Sequence, residues 1–191
     1  MSDAATIKAR FRAEAMARRD ALSPGERAKA SAEIADRAAP IVAAAKPAVV
    51  SLYWPMRSEC DVRALILRVR RQGAEVALPA RAGDTFVFRR WEEGEPLHPG
   101  TFGTSEPPPA SPAVNPDFIV LPMVGFDRFG NRLGYGKGHY DRAIAALRAN
   151  GYRPGLLGVA FAIQEVPAVP AQPYDVRLDW VVTEHDVLRF V

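Results

Sequence analysis

A single cysteine, Cys60, stands in 191 residues, which excludes an internal disulfide framework and a cysteine-rich metal site. Nothing beside it in the sequence marks an activated thiol, so a buried structural role is expected. The net charge of +3 is too small to demand a polyanionic partner by itself. The start, MSDAATIKARFRAE, has no continuous apolar stretch of the signal-peptide kind, and no apolar run approaches a membrane span. Asp3 and Glu14 argue against a transit peptide despite the Arg- and Ala-rich beginning. Internal repeats are also missing. These absences leave a soluble, cytoplasmic protein without membrane association as the expectation.

What is present is ordinary globular composition, 48% apolar and 25% charged, so one domain over residues 1–191 is expected. Ile7, Phe11 and Ala15 recur at i, i+4, i+8 and predict an amphipathic helix over 3–21. Ser23-Pro24-Gly25-Glu26 then supplies a capping serine, a first-turn proline and a capping-box glutamate for a second helix, with Pro40 as its expected end. Strands are expected in AVVSLYW (48–54), EVALP (75–79), TFVFRRW (85–91), DFIVLPMV (117–124), GLLGVAF (155–161) and LDWVVTE (178–184). Asp61 can cap a helix over VRALILRVRRQ that stops at Gly73. Another helix follows from Tyr140, with Ile144 and Leu147 inward and Gly151 as its stop. Seven prolines between Glu92 and Pro116 predict a long rigid loop. The alternation implies an α/β three-layer sandwich with a mostly parallel central sheet, Rossmann-like in type.

Residues 125–142, GFDRFGNRLGYGKGHYDR, hold five glycines and show neither period, so they are expected to pack no core. They follow a buried strand and precede a helix, the address at which open α/β sheets bind ligands. Glycines let backbone amides approach an anion, while Arg132 and Lys137 supply charge. Neither common fingerprint fits. A P-loop needs glycine at 131 and Ser or Thr after its lysine, but the chain has Asn131 and Gly138. The dinucleotide pattern fails on the Gly134, Gly136, Gly138 spacing. On the residues alone, a phosphate cradle and a mobile surface hairpin both stay open.

The longer stretch LPMVGFDRFGNRLGYGKGHYDR resembles the signature of the 5-formyltetrahydrofolate cyclo-ligase family: a strand ending in proline, an aromatic-Asp turn, then Gly-x-Arg-Leu-Gly-x-Gly-x-Gly-Tyr-Tyr-Asp. The resemblance runs along most of the chain. Lys8 and Arg12, YWPMRSE (53–59), ALP (77–79), Phe88 and Trp91, FGTSEP (102–107) and YDVRLDWVVTE (174–184) fall in the family's order. His139 is a departure, because that position is more often tyrosine; imidazole is smaller and titrates near neutrality.

The resemblance implies an enzyme that uses ATP and Mg²⁺ to convert 5-formyltetrahydrofolate to 5,10-methenyltetrahydrofolate, releasing ADP and phosphate. ATP and a reduced folate are the implied partners, with no nucleic acid, in a monomer or homodimer. It implies ATP contacts from Lys8, Arg12, Arg132, Gly134, Tyr135, Gly136, Lys137, Gly138, His139 and Tyr140. Glu59, Lys137 and Arg132 are the implied catalytic residues, and Trp54 and Glu59 the folate contacts. Asp141 and Asp175 are the implied Mg²⁺ ligands, suited as hard oxygen donors.

Each assignment has a plain structural counterpart. Lys8 and Arg12 share a helix face and could be a solvated basic face, the reading kept for Arg10, Arg18 and Arg19. Asp141 could cap a helix, Asp175 could sit in a turn after Pro173, and Trp54 could be core. Phe88 and Trp91 either wall the folate pocket or pack a strand. Tyr140 is read as a loop residue rather than a base, since a phenol ordinarily ionises near pH ~10. The alternative function is a non-catalytic family member binding RNA or nucleotide. Against it, Glu59, Asp141 and Asp175 would repel a phosphate backbone in the absence of a metal.

Overall fold

The computed structural model describes residues 3–190, apart from the side chain of residue 102, so the aromatic ring of the FGTSEP match lies outside the described residues. The described residues hold four α-helices: α1 (Asp3–Ala21), α2 (Pro24–Ala45), α3 (Arg63–Arg71) and α4 (His139–Ala149). The strands are β1 (Val49–Ser51), β2 (Glu75–Ala82), β3 (Thr85–Arg90), β4 (His98–Pro99), β5 (Ser105–Glu106) and β6 (Ala113–Val114). They continue with β7 (Phe118–Pro122), β8 (Gly125–Phe126), β9 (Arg132–Leu133), β10 (Gly155–Val159), β11 (Trp180–Val182) and β12 (Val187–Arg189).

Eight strands form one sheet in the order β12-β11-β10-β7-β1-β2-β3-β6. The run β11-β10-β7-β1-β2 is parallel, while β12, β3 and β6 are antiparallel edge additions. Strand alternation distributes side chains between two cores. Val50, Val76, Leu78, Phe118, Val120, Leu157 and Val182 face α2 and α3. Ala77, Ile119, Leu121, Leu156 and Val181 face α4. This is the expected α/β three-layer sandwich with a mostly parallel sheet. The parallel strands follow the doubly wound order 2-1-3-4-5, so the winding direction reverses between β1 and β7.

Several local expectations hold to the residue. Ser23 and Glu26 form the capping box, and Gly73 and Gly151 adopt positive φ at helix ends. Cys60 is buried, and burial pushes its thiol up to about 12, so it is inert. No helix among the described residues is long and apolar enough to cross a membrane.

Other expectations need correction. Pro40 does not end α2. Its ring faces solvent while Ala38, Ala39 and Val42 are buried on the opposite side, and that packing carries the helix on to Ala45. The segment rich in proline is not only a loop: β4 and β5 pair with each other, and β6 extends the main sheet beside β3. β12 was not anticipated at all. Residues 125–142 do contribute to a core, since Phe126 and Leu133 are buried in the β8–β9 hairpin.

Asp127, wholly buried in that hairpin, explains how such a polar stretch is held. Its carboxylate accepts from Phe129 N at 2.9 Å, Asn131 N at 3.0 Å, Asn131 Nδ2 at 2.9 Å and Val169 N at 2.8 Å. Replacing it by alanine strands the buried Val169 N and two part-buried backbone donors and empties a wholly buried site. We expect Asp127→Ala to cost about 3–5 kcal/mol of stability, read as a lowered urea midpoint. A midpoint like that of the wild type would contradict this account.

Candidate active site

β1 and β7 both end on a cleft of about 1350 Å³, at the point where the winding reverses. Tyr53, Trp54 and the 56–59 turn leave β1 along one wall, and Pro122 leaves β7 at the base. The loop 134–138, running from β9 into α4, also lines the cleft. α1 covers that hairpin through Phe11 and Ala15, packed on Val124, Leu133, Val166 and Val169. The same helix therefore turns Lys8 and Arg12 onto the cleft. All fourteen residues to which the resemblance gives a binding, catalytic or metal role line this one cavity.

Lys8 and Arg12 have different immediate partners. Lys8 Nζ donates to Asp175 Oδ2 at 2.5 Å, and Arg12 Nε to the Gly134 carbonyl at 2.9 Å. Gly136 and Gly138 have φ of +91° and +64°, a region other residues enter only with strain. A Cβ on Gly136 would lie in ordinary van der Waals contact with the Arg12 guanidinium, so the positive φ is what favours glycine there. Arg142 braces the loop by donating to Lys137 O at 2.7 Å. Arg132 is nearly buried; it donates to Asp141 Oδ1 at 2.8 Å, and its Nε has no acceptor among the described residues. A buried donor on a cleft wall fits an oxygen-rich ligand.

The two carboxylates assigned to Mg²⁺ lie on adjoining segments. Asp141 Oδ1 also accepts from Val176 N at 3.1 Å, next to Asp175, and Asp175 Oδ2 accepts from Gln172 N at 2.8 Å. Among the described residues no three His, Cys, Asp or Glu side chains form a complete metal cage. Two hard oxygen donors beside the glycine-rich loop still suit Mg²⁺, which characteristically retains water and needs few protein ligands.

Glu59 is buried to 8% exposure. Its Oε2 accepts from Met56 N at 3.0 Å and its Oε1 from the Tyr135 hydroxyl at 2.9 Å. Burial pushes the carboxyl above the ordinary range, partly offset by those two hydrogen bonds and by Arg19 and Arg57. Trp54 meets Trp91 edge to face, with ring centroids 5.5 Å apart, and presents its remaining surface to the cleft. Trp91 and Phe88 themselves are core residues; Phe86 reaches the cleft instead. Phe86 packs on His139 at 5.0 Å and Tyr140 at 5.1 Å between centroids. Burial, with Arg142 nearby, holds His139 below its usual range and favours neutral imidazole. Burial raises Tyr140, consistent with a phenol that keeps its proton.

Sequence reasoning missed some of the lining and misread one arginine. Arg19 is 1% exposed, not part of a solvated face, because α1 turns it inward onto Ser58 and Tyr135. Arg57 reaches the rim from a turn residue with φ of +53°. Arg81, Thr101, Thr104 and Glu106 arrive by the antiparallel extension and the proline-rich segment. Only the GTSEP part of that group carried a signal in the sequence.

The reversal point, the glycine-lined wall and the buried carboxylate define a doubly wound α/β protein of the ligand-binding kind. Residues 4–184 match the 5-formyltetrahydrofolate cyclo-ligase family, and the chain belongs to it. The 5-formyltetrahydrofolate cyclo-ligase of Haemophilus influenzae is 32% identical over 136 residues, 68% of this chain and 72% of that protein. The Mycolicibacterium smegmatis enzyme of the same name is 32% identical over 143 residues, 70% of this chain and 72% of that one. The solution structure of Aquifex aeolicus 5,10-methenyltetrahydrofolate synthetase superposes with a TM-score of 0.81 at 32% identity, covering 96% of this chain and 93% of that one.

Proposed function

We propose that this chain is an enzyme converting 5-formyltetrahydrofolate to 5,10-methenyltetrahydrofolate, with ATP as co-substrate and Mg²⁺ as its metal. One observation carries the reading. A buried carboxylate and a cation-lined glycine loop line one cleft, the first suited to a reduced pterin and the second to a triphosphate.

The N5-formyl oxygen attacks the γ-phosphorus of ATP, and ADP departs. N10 then attacks the activated formyl carbon, the C–O bond breaks, phosphate leaves with the former formyl oxygen, and N10 gives up its proton. Phosphorylation turns a poor leaving oxygen into a good one, so the protein's task is alignment and charge compensation. Arg132 and Lys137 balance the transferred phosphoryl group, the bare amides of Gly134, Gly136 and Gly138 approach its oxygens, and Lys8 and Arg12 close the site from α1. Tyr135, His139 and Tyr140 complete the nucleotide side. Asp141 and Asp175 would hold Mg²⁺, which supplies neutralisation of the phosphate charge. Trp54 offers a plane to the pterin. Glu59 accepts hydrogen bonds from pterin N–H groups, and its raised proton affinity suits it to receive the N10 proton.

Purified protein given 5-formyltetrahydrofolate and Mg·ATP is expected to develop the near-ultraviolet absorbance of the methenyl product, with stoichiometric ADP. Folded protein that yields neither absorbance nor ADP would overturn the proposal.

A further inference from the structure

The Tyr135 hydroxyl sits between two groups. It donates to Glu59 Oε1 at 2.9 Å and accepts from Arg19 Nη1 at 3.2 Å. Arg19 Nε donates in turn to Ser58 Oγ at 3.0 Å, and Ser58 Oγ is bonded to the Asp20 carboxylate. We infer that Arg19 is a positioning residue for Glu59, acting through the Tyr135 hydroxyl, so that Tyr135 ties the glycine loop to the carboxylate. The inference rests on the folate reading of Glu59 and deepens it.

Burying a guanidinium is costly unless its donors are satisfied, and an apolar side chain would fill the same space without that cost. What an apolar residue would lack is direction. Arg19 holds Ser58, next to Glu59, on one side and the Tyr135 hydroxyl on the other, and that hydroxyl and Met56 N each bind one oxygen of the Glu59 carboxylate. Its place in the last turn of α1 adds favourable helix-end electrostatics for the cation.

The charges facing Glu59 are few. Arg57 approaches from its own turn and Arg19 from α1. Tyr53 at the end of β1, Cys60 next in the chain, Tyr135 on the loop and Tyr140 on α4 also face it, and burial keeps all four protonated near neutrality. Burial alone favours the acid form of Glu59; the Tyr135 hydrogen bond and the Arg19 charge favour the carboxylate. Removing either lets burial act with less opposition, so Glu59 ionises only at higher pH. If the ionised form works, activity is full above that ionisation and is lost as pH falls through it.

The test is the pH profile of kcat/KM for 5-formyltetrahydrofolate at saturating Mg·ATP in wild type, Tyr135→Phe, Arg19→Met and Glu59→Gln. Tyr135→Phe removes one hydroxyl from a partly exposed ring, so it decides the question if Arg19→Met fails to fold. We expect the acid limb to move up by about one pH unit in both variants, with the plateau reduced about tenfold. In Arg19→Met the KM for ATP should stay within about twofold, since Arg19 is not among the residues lining the cleft. An unmoved acid limb in Tyr135→Phe, with active wild type and impaired Glu59→Gln, overturns this inference alone. An inactive wild type, or undiminished Glu59→Gln, brings down the underlying folate reading and the inference with it.

Discussion

Arg132→Met is expected to lower kcat/KM for ATP by about a hundredfold to a thousandfold, the range seen when one preorganised electrostatic donor is removed. The arginine is nearly buried, shares a hydrogen bond with Asp141, lies 5.9 Å from the Tyr140 ring centre, and keeps a buried Nε directed at no acceptor among the described residues. The Asp141 hydrogen bond and the Tyr140 ring therefore hold the guanidinium on the cleft wall, with its Nε left for a ligand oxygen. Methionine keeps the bulk and removes charge and donors together. Arg132→Lys should recover little of the loss, because an ammonium cannot reproduce the planar fork that meets Asp141 and a ligand oxygen at once. Steady-state kinetics and nucleotide titration check this, with a melting curve to show that each variant is folded. Wild-type kinetics in folded Arg132→Met would remove Arg132 from the site.

The second large effect is expected at Glu59. Glu59→Gln keeps shape but removes charge, and an amide offers one oxygen where the carboxylate serves both Met56 N and the Tyr135 hydroxyl. We expect kcat/KM for the folate to fall about a hundredfold, with nucleotide affinity nearly unchanged. In the wild type, the acid limb should lie above the ordinary carboxylate range, because burial raises Glu59. Turnover is retained above that ionisation and lost below it. An equal loss of nucleotide affinity would contradict the division of the cleft into two halves.

Much of this organisation was legible in the chain. α1 was legible from an apolar stripe and the start of α2 from its capping box, both local devices whose partners lie within four residues. The parallel strands were readable as short apolar runs because both of their faces are covered. Candidate site residues were legible for another reason: they carry a family signature, and the tertiary fold gathers them into one cavity. Pro40 was misread because the rule concerns an isolated helix, and burial of Ala38, Ala39 and Val42 outweighs one missing hydrogen bond. β12 and β6 were missed because two- and three-residue edge strands lack a detectable period.

Arg19 and Asp127 show where local reading stops. Arg19 stands beside Arg18 in a basic run, and nothing near it in sequence says that one points inward. Its partners, Ser58 and Tyr135, are 39 and 116 residues away. Asp127 looked like a turn residue, yet its carboxylate also receives Val169 N from 42 residues on. By itself the sequence determined the helix stripe, the caps, the buried strands and the chemical inventory of the cleft, since these follow from periodicity and residue type. Only the tertiary structure decided which charges are buried, which donors meet Glu59 and which wall each residue occupies. Those depend on contacts closed between distant segments, and no short-range pattern encodes them.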